Sequence, residues 1–167
     1  MGTDKGLIDF KGKPMVKYAI DLLSGIFETV VISANNPAYE QFGLNVIADI
    51  HKNCGPIGGL HAALFASNTD YIFALSCDMP FVKNEHIVQL VSSLNNELIV
   101  VPKTDGYLQP LCAIYSKQVL DLLAQNIEKK QLKMHQLILD TDAKITVPME
   151  ASAFLNFNSP SDFDKHR

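Results

Sequence analysis

Residues 55–80, GPIGGLHAALFASNTDYIFALSCDMP, contain the pattern that decides the fold. A glycine-rich turn, GPIGG, opens a predicted helix, and an apolar strand, DYIFALSCD, follows that helix and ends at Asp78. The same alternation continues on both sides, with the strands TVVISAN and LNVIAD before this stretch and the helix NEHIVQLVSSLN and strand LIVVP after it. Strands that alternate with helices predict an α/β fold, a three-layer sandwich with a mostly parallel sheet and helices on both faces.

The remaining segments fit around this pattern. The apolar spacing in GKPMVKYAIDLLSGI predicts a helix before the first strand, and a shorter helix is expected around Tyr39. After Pro102 an Asp-Gly turn precedes a strand, so an antiparallel excursion is expected there. Two helical stretches, 117–127 and 132–139, the strands KITVP and AFLNFN, and a capped turn, SPSDFDKH, complete the chain. Without a linker or low-complexity segment, residues 1–167 are predicted to form a single domain.

Composition limits the classes of partner. The chain has 167 residues, 47% of them hydrophobic, and a formal net charge of −4 with no block of basic residues. This charge pattern argues against nucleic acid and against an anionic membrane surface as partners. No apolar run approaches the ~20 residues of a membrane span, and three widely spaced cysteines, Cys54, Cys77 and Cys112, are predicted to be buried free thiols. We therefore expect a soluble cytoplasmic protein.

Polar residues follow the predicted strands where ligands bind in open parallel sheets, at the carboxyl ends. Ser33 and Asn35 follow the first visible strand, Asp49 the second and Asp78 the third. A carboxylate at a buried strand end needs a partner, so Asp78 is a candidate magnesium ligand, with a helix cap or turn acid as an equal alternative. Asp49 is equally consistent with a solvated loop or a ligand contact. The turn GPIGG could hold an anion or could simply pack its helix against the sheet.

Two further features bear on the chemistry. Lys5 lies in the short polar segment MGTDKG, where an ammonium group could bind a triphosphate, although most single lysines are solvated surface residues. The five histidines show no metal-binding spacing and are predicted to be surface or packing residues: His51, His61, His86, His135 and His166. No Ser/His/Asp or Cys/His arrangement indicates a protein nucleophile.

Five segments, MGTDKGLIDFKGKP, GLNVIAD, GPIGGLHAAL, SCDMP and FLNFNSPSD, together resemble the molybdenum cofactor guanylyltransferases, the MobA group of nucleotidyltransferases. The resemblance runs from Met1 to about Asp164 and is most specific where MGxDK is combined with CDMP. It implies a Rossmann-like fold that binds GTP and magnesium. Such enzymes transfer GMP to the terminal phosphate of the molybdenum-bearing pterin and release pyrophosphate, and transient contacts with cofactor-biosynthesis proteins or molybdoenzymes are also expected.

The resemblance also implies roles for individual residues. Lys5 matches the family's nucleotide-phosphate lysine, Asp49 an acid at the guanine-nucleotide site and Asp78 the magnesium-binding aspartate. Ser33 falls where many members carry a polar nucleotide contact, often asparagine. A late motif near the active-site cleft is matched by Asn156 and Asn158.

One part of the family pattern is not found in this sequence. Family members begin with an apolar strand that leads into a glycine-rich loop, LAGGxSxR, whereas the printed chain starts at the methionine that would follow the arginine. Without that strand we expect unpaired backbone, a void in the core and weak GTP binding. The alternatives are a cytidylyltransferase acting on the same pterin, a sugar-phosphate nucleotidyltransferase, or a non-catalytic module that holds pterin or a partner enzyme.

Overall fold

The computed structural model describes residues 4–146, 150–155 and 157. The strands are Asp9–Phe10 (β1), Lys13–Pro14 (β2), Val31–Ser33 (β3), Asn45–Ile47 (β4), Tyr71–Leu75 (β5), Ile99–Thr104 (β6), Tyr107–Leu108 (β7), Cys112–Ser116 (β8) and Lys144–Thr146 (β9). The α-helices are Met15–Ser24 (α1), Pro56–Ala66 (α2), Asn84–Ser92 (α3), Leu120–Glu128 (α4) and Met134–Leu139 (α5). Short 3-10 helices cover Lys5–Leu7, Pro37–Phe42, Lys117–Val119 and Ala151–Phe154. Within these ranges no helix is long and apolar enough to cross a membrane.

The described strands form three separate sheets: the antiparallel pair β1-β2, the pair β3-β4 and one sheet of five strands. β3 and β4 are parallel, and a larger sheet has the order β5-β8-β6, with β9 parallel to β6. β8 is antiparallel to both of its neighbours, which confirms the excursion predicted after Pro102 and leaves β5, β6 and β9 pointing the same way. β7 pairs with the end of β6 across the Asp-Gly turn, where Asp105 and Gly106 have positive φ. The α/β class is therefore confirmed, and three of the five strands of the larger sheet run in the same direction.

Helices cover both faces of the larger sheet, as a three-layer sandwich requires. On one face, apolar residues of α2, α4 and α5, such as Leu64, Leu123 and Ile138, pack against β6 and β8. On the other face, α3 contributes Ile87 and Leu90 to a second cluster, which the end of α1 also joins. Helices on both faces leave the carboxyl ends of the strands as the open edge of the sheet.

One predicted strand is wrong. The segment AFLNFN was expected to be extended, but Ala151–Phe154 forms a 3-10 turn. Phe154 and Phe157 are both buried while Leu155 is half exposed, so the buried aromatic residues recur after three positions and not after two. That spacing suits a tight turn, because a strand buries alternate residues. Asn156 and Asn158, and the predicted turn SPSDFDKH, lie outside the described residues.

The predicted thiol environments are correct in one case of three. No disulfide joins the cysteines, and Cys112 is fully buried, but Cys54 and Cys77 are only partly covered. Cys54 precedes the turn into α2, and Cys77 lies just beyond β5, both next to the open edge of the sheet. Their exposure follows from that position.

An apolar cavity of about 900 Å³ lies between the β3-β4 pair and strand β5 of the larger sheet. Residues 31–34 at β3 and 71–77 at β5 line it from opposite sides, and α1 and α2 contribute Ile20, Leu23, Leu60 and Ala63. Among the described strands β3 pairs only with β4, and β5 only with β8, so each has an edge without a strand partner. Every residue of β5 is consequently only partly buried. The cavity and the two open strand edges agree with the void and the unpaired backbone expected from the sequence.

Candidate functional site

The carboxyl ends of β3 and β4 are joined by a pair of side-chain hydrogen bonds. The Asn35 amide nitrogen donates to Asp49 Oδ2 at 2.9 Å, and the Asp49 backbone N–H donates to Asn35 Oδ1 at 2.9 Å. Both polar ends of the Asn35 side chain are therefore used to hold Asp49. Ser33 and Asn35 are exposed and line the polar end of the cavity together with Asp49. This arrangement fixes a carboxylate where a ligand can reach it.

The start of α2 packs closely against these residues because Gly59 has no side chain. A Cβ placed on Gly59 would lie 2.7 Å from Ser33 Oγ and 3.5 Å from Asp49 Oδ1. Gly55, the N-cap of α2, has a φ of 60°, and Gly55, Pro56 and Gly59 all line the cavity. The turn GPIGG thus brings the N-terminus of an eleven-residue helix to the polar end of the cavity. Its backbone N–H groups carry partial positive charge that favours anions.

Asp78 follows β5 in the turn that leaves the sheet. Its Oδ1 atom is buried and has no hydrogen-bond partner among the residues that the structure describes. The residue that caps α3 is Lys83, so the helix-cap alternative for Asp78 is not observed. A buried carboxylate oxygen without a donor is costly, and it is the group that a cation would satisfy.

Lys5 and Asp78 approach the same thiol from two parts of the chain. Burial, with a smaller contribution from the carboxylates of Asp78 and Asp4, raises the pKa of Cys77 to about 11, and the Lys5 ammonium opposes this rise. The thiol therefore stays neutral at physiological pH. Lys5 starts a 3-10 turn, and Asp4 caps that turn. Lys5 is therefore within electrostatic range of Cys77, which follows β5.

The predicted residues form two groups at the open edge of the sheet. Ser33 and Asp49 adjoin the start of α2, and Lys5 and Asp78 lie around Cys77. Asn35 was predicted only as a polar strand-end residue, whereas in the structure it is the partner that holds Asp49. Its place two positions after Ser33 in the segment SAN was the available signal.

A cluster outside this edge resembles a metal site but has another explanation. Glu85, His86 and Glu150 place potential ligand atoms within 4.8 Å of one another. However, His86 Nδ1 accepts a hydrogen bond from the Lys83 backbone N–H at 3.0 Å, so the proton of the neutral ring is on Nε2. The Lys83 ammonium also lies 3.8 Å from Glu85 and 3.5 Å from Glu150, where it supplies the positive charge. His86 is therefore a buried capping residue, in agreement with the prediction that the histidines pack.

Comparison with known proteins identifies the family of the chain. The profile described as MobA-like NTP transferase domain matches residues 1–144, which include every element from the Lys5 turn to the start of β9. The chain belongs to the MobA-like NTP transferase family. This assignment covers all four predicted site residues, Lys5, Ser33, Asp49 and Asp78, within one matched segment.

Individual MobA-like proteins agree with this assignment over nearly the whole chain. The molybdenum cofactor guanylyltransferase of Vibrio vulnificus is 30% identical and aligns with 96% of this chain and 85% of its own length. The crystal structure of molybdopterin-guanine dinucleotide biosynthesis protein A from Archaeoglobus fulgidus has a TM-score of 0.83 at 25% identity, covering 98% of this chain and 89% of that one. A 2-C-methyl-D-erythritol 4-phosphate cytidylyltransferase from Thermus thermophilus has a TM-score of 0.73 at 14% identity, covering 96% and 91% of the two chains, and shows the shared fold alone.

Proposed function

We propose that this protein transfers GMP from GTP to the terminal phosphate of the molybdenum-bearing pterin and releases pyrophosphate. The observation that carries the proposal is the buried Oδ1 of Asp78, which lacks a donor among the described residues. Asp78 follows the edge strand β5 in a MobA-like chain. The name of the Vibrio relative, which is 30% identical, supports guanylyl transfer as the reaction. Molybdopterin and GTP are then the two substrates.

The donor set at Asp78 fits Mg²⁺. This ion requires only one or two protein carboxylates and takes its other ligands from water and substrate phosphates. Asp78 offers one such carboxylate, with an oxygen that no described donor uses. When bound there, Mg²⁺ would neutralise charge on the phosphate oxygens of the nucleotide.

The reaction is an in-line displacement at the α-phosphorus of GTP. An oxygen of the pterin phosphate forms a bond to that phosphorus while the bond to the bridging oxygen of the leaving pyrophosphate breaks. No protein nucleophile takes part, so the protein contributes positioning and charge stabilisation. Lys5 would bind the negative charge that develops on the departing pyrophosphate. Ser33 would donate its hydroxyl to the nucleotide.

The Asn35–Asp49 pair favours guanine as the base. Guanine presents two adjacent donors, N1–H and the N2 amino group, whereas cytosine presents only its N4 amino group on the corresponding edge. Asp49 Oδ2 is held by Asn35, and the missing side chain of Gly59 leaves space next to Oδ1. Oδ1 is thus open, and Oδ2 keeps a second lone pair beside the Asn35 hydrogen bond, so the fixed carboxylate can accept both adjacent guanine donors.

A binding experiment with matched variants tests this proposal. Thermal shifts are measured with GTP or CTP, each with Mg²⁺ or EDTA, for the wild type, Asp78→Asn and Lys5→Met. We expect stabilisation by GTP with Mg²⁺ that exceeds the stabilisation by CTP and that both variants reduce. Asp121→Asn and Lys129→Met change the same residue types at exposed positions and should behave like the wild type.

The outcomes separate the alternatives. A larger shift with CTP would indicate a cytidylyltransferase. A folded protein that shows no magnesium-dependent shift with either nucleotide would indicate a non-catalytic module. Equal shifts for the wild type and Asp78→Asn would refute the role of Asp78.

A further inference from the structure

The turn that carries Lys5 is held in place by the preceding residue. Asp4 caps the 3-10 helix Lys5–Leu7, and its Oδ1 accepts a hydrogen bond from the Gly6 backbone N–H at 3.2 Å. The same oxygen accepts a hydrogen bond from the Tyr39 hydroxyl at 2.6 Å, and Oδ2 accepts one from the Asn36 amide at 3.1 Å. Both oxygens of Asp4 are therefore engaged by protein donors. Asp4 therefore connects the Lys5 turn to the segment that follows β3 through hydrogen bonds.

Tyr39 is a rigid partner for that carboxylate. It belongs to the 3-10 helix Pro37–Phe42, is only 6% exposed, and packs with Val16, Ile20 and Ile32 between α1 and β3. An aromatic ring fixed in a close-packed core holds its hydroxyl in one position. The hydrogen bond to Asp4 joins residues 35 positions apart in the sequence. This hydrogen bond therefore links the Lys5 turn to the apolar cluster between α1 and β3.

The contact also explains why glycine follows Lys5. A Cβ placed on Gly6 would lie 2.2 Å from the Tyr39 hydroxyl oxygen and 3.1 Å from the adjacent ring carbon. A side chain at residue 6 would push the Lys5 turn away from Tyr39. Asp4 and Gly6 thus fix the turn on both sides of Lys5 against the same phenol.

We propose that Asp4 and Tyr39 are positioning residues that hold the Lys5 ammonium where it binds the nucleotide phosphates. This inference rests on the proposed function. Lys5 has a flexible side chain, and an ammonium group binds phosphate as a point charge without a fixed geometry of its own. Its effect on the leaving group depends on where its backbone is anchored, and the Asp4–Tyr39 hydrogen bond provides that anchor. The three donors around Asp4 also offset its negative charge near the phosphates.

A comparison of two ligands separates positioning of Lys5 from general stability. Dissociation constants for GTP and for guanosine are measured with Mg²⁺ for the wild type, Tyr39→Phe, Asp4→Asn, Lys5→Met and the double variant Tyr39→Phe/Lys5→Met. We expect Tyr39→Phe and Asp4→Asn to weaken GTP binding about tenfold, the effect of one hydrogen bond to a charged group. Guanosine lacks phosphates, so its dissociation constant should change less than about twofold. In the Lys5→Met background, Tyr39→Phe should have no further effect on GTP.

The matched control is Tyr115→Phe. Tyr115 is a buried tyrosine of β8 whose hydroxyl donates to the Pro110 carbonyl at 2.7 Å, so its replacement also removes one hydrogen bond from a buried phenol. It should leave both ligands unaffected.

Each remaining outcome has a definite meaning. If Tyr39→Phe weakens GTP and guanosine equally, or adds fully to Lys5→Met, the positioning role is refuted. If Lys5→Met weakens GTP binding while Tyr39→Phe and Asp4→Asn do not, this inference fails and the proposed function stands. If Lys5→Met has no effect, or if the wild type binds no GTP, both fail.

Discussion

Replacement of Gly59 by alanine adds one methyl group beside Ser33 and so tests whether the nucleotide binds there. The new Cβ would lie 2.7 Å from Ser33 Oγ, and ordinary contact begins at 3.4 Å, so these atoms must separate by about 0.7 Å. The Ser33 hydroxyl can move only by rotating away from its present position. Asp49 Oδ1, at 3.5 Å, is already at an ordinary contact distance and can stay in place. The substitution therefore acts on one side of the site.

Opposing effects should leave the stability of Gly59→Ala close to that of the wild type. Alanine stabilises a helix interior by about 1 kcal/mol relative to glycine. A displaced Ser33 rotamer costs about 0.5–1.5 kcal/mol. The net change should be within about 1 kcal/mol, or about 2–4 °C in melting temperature for a protein of this size. Affinity for GTP should fall about tenfold, because the methyl group displaces a hydroxyl that would otherwise bind the nucleotide.

Thermal melting and calorimetric titration with GTP and Mg²⁺ measure the two effects separately. Gly25→Ala at the end of α1 is the matched control, since its Cβ would meet only the Leu22 and Asp21 carbonyl oxygens, at 3.5 and 3.7 Å. Both variants should melt near the wild type, and only Gly59→Ala should lose affinity. Unchanged GTP affinity in a folded Gly59→Ala protein would refute contact between the nucleotide and the Ser33 side of the cavity.

The packing of the strands and buried side chains leads to three more expected outcomes. A version extended ahead of Met1 by an apolar strand and a glycine-rich loop should transfer GMP faster than the 167-residue chain, because the strand can pair with β3 and β5; equal rates in a transfer assay would contradict this. Gly6→Ala should lower the free energy of unfolding by about 1–3 kcal/mol, because the added Cβ would overlap the Tyr39 hydroxyl. The loss should be smaller in a Tyr39→Phe background, and a double-mutant cycle measured by urea denaturation tests this. Burial raises the pKa of Cys112 from 9.0 to about 12, so the thiol ionises in the unfolded chain first and stability falls between pH 9 and 12. That decline should be shallower in Cys112→Ala, and identical declines in urea denaturation would exclude a contribution from this thiol.

Most helices and strands of this fold could be predicted from local sequence patterns, because their formation depends mainly on residues close together in the chain. Helix α1 forms where the apolar spacing of Met15, Tyr18, Ala19, Leu22 and Leu23 predicted it, but only Met15 of these residues is fully buried and the other four are partly buried. The antiparallel direction of β8 followed from the Asp-Gly turn. The error at AFLNFN arose because Phe154 and Phe157 are buried by tertiary packing, which sequence alternation does not show.

The candidate site was predictable only where residues follow strands. Asp49 and Asp78 directly follow predicted strands in the sequence. They could be chosen as candidates because ligands bind at the carboxyl ends of the strands in this class of fold. The role of Tyr39 could not be predicted, because its sequence context is that of an ordinary core residue and its hydroxyl meets Asp4 only after α1 and β3 have packed together. The space that Gly59 leaves for Ser33 likewise depends on how α2 packs against β3.

The most direct test of the account is magnesium-dependent formation of the guanine dinucleotide of molybdopterin at millimolar GTP, measured by mass spectrometry together with pyrophosphate release. The account predicts equal amounts of dinucleotide and pyrophosphate in the presence of Mg²⁺, with a rate about a hundredfold lower in Asp78→Asn. An unchanged rate in Asp78→Asn or in EDTA, a product formed from CTP in preference to GTP, or no product at all would contradict it.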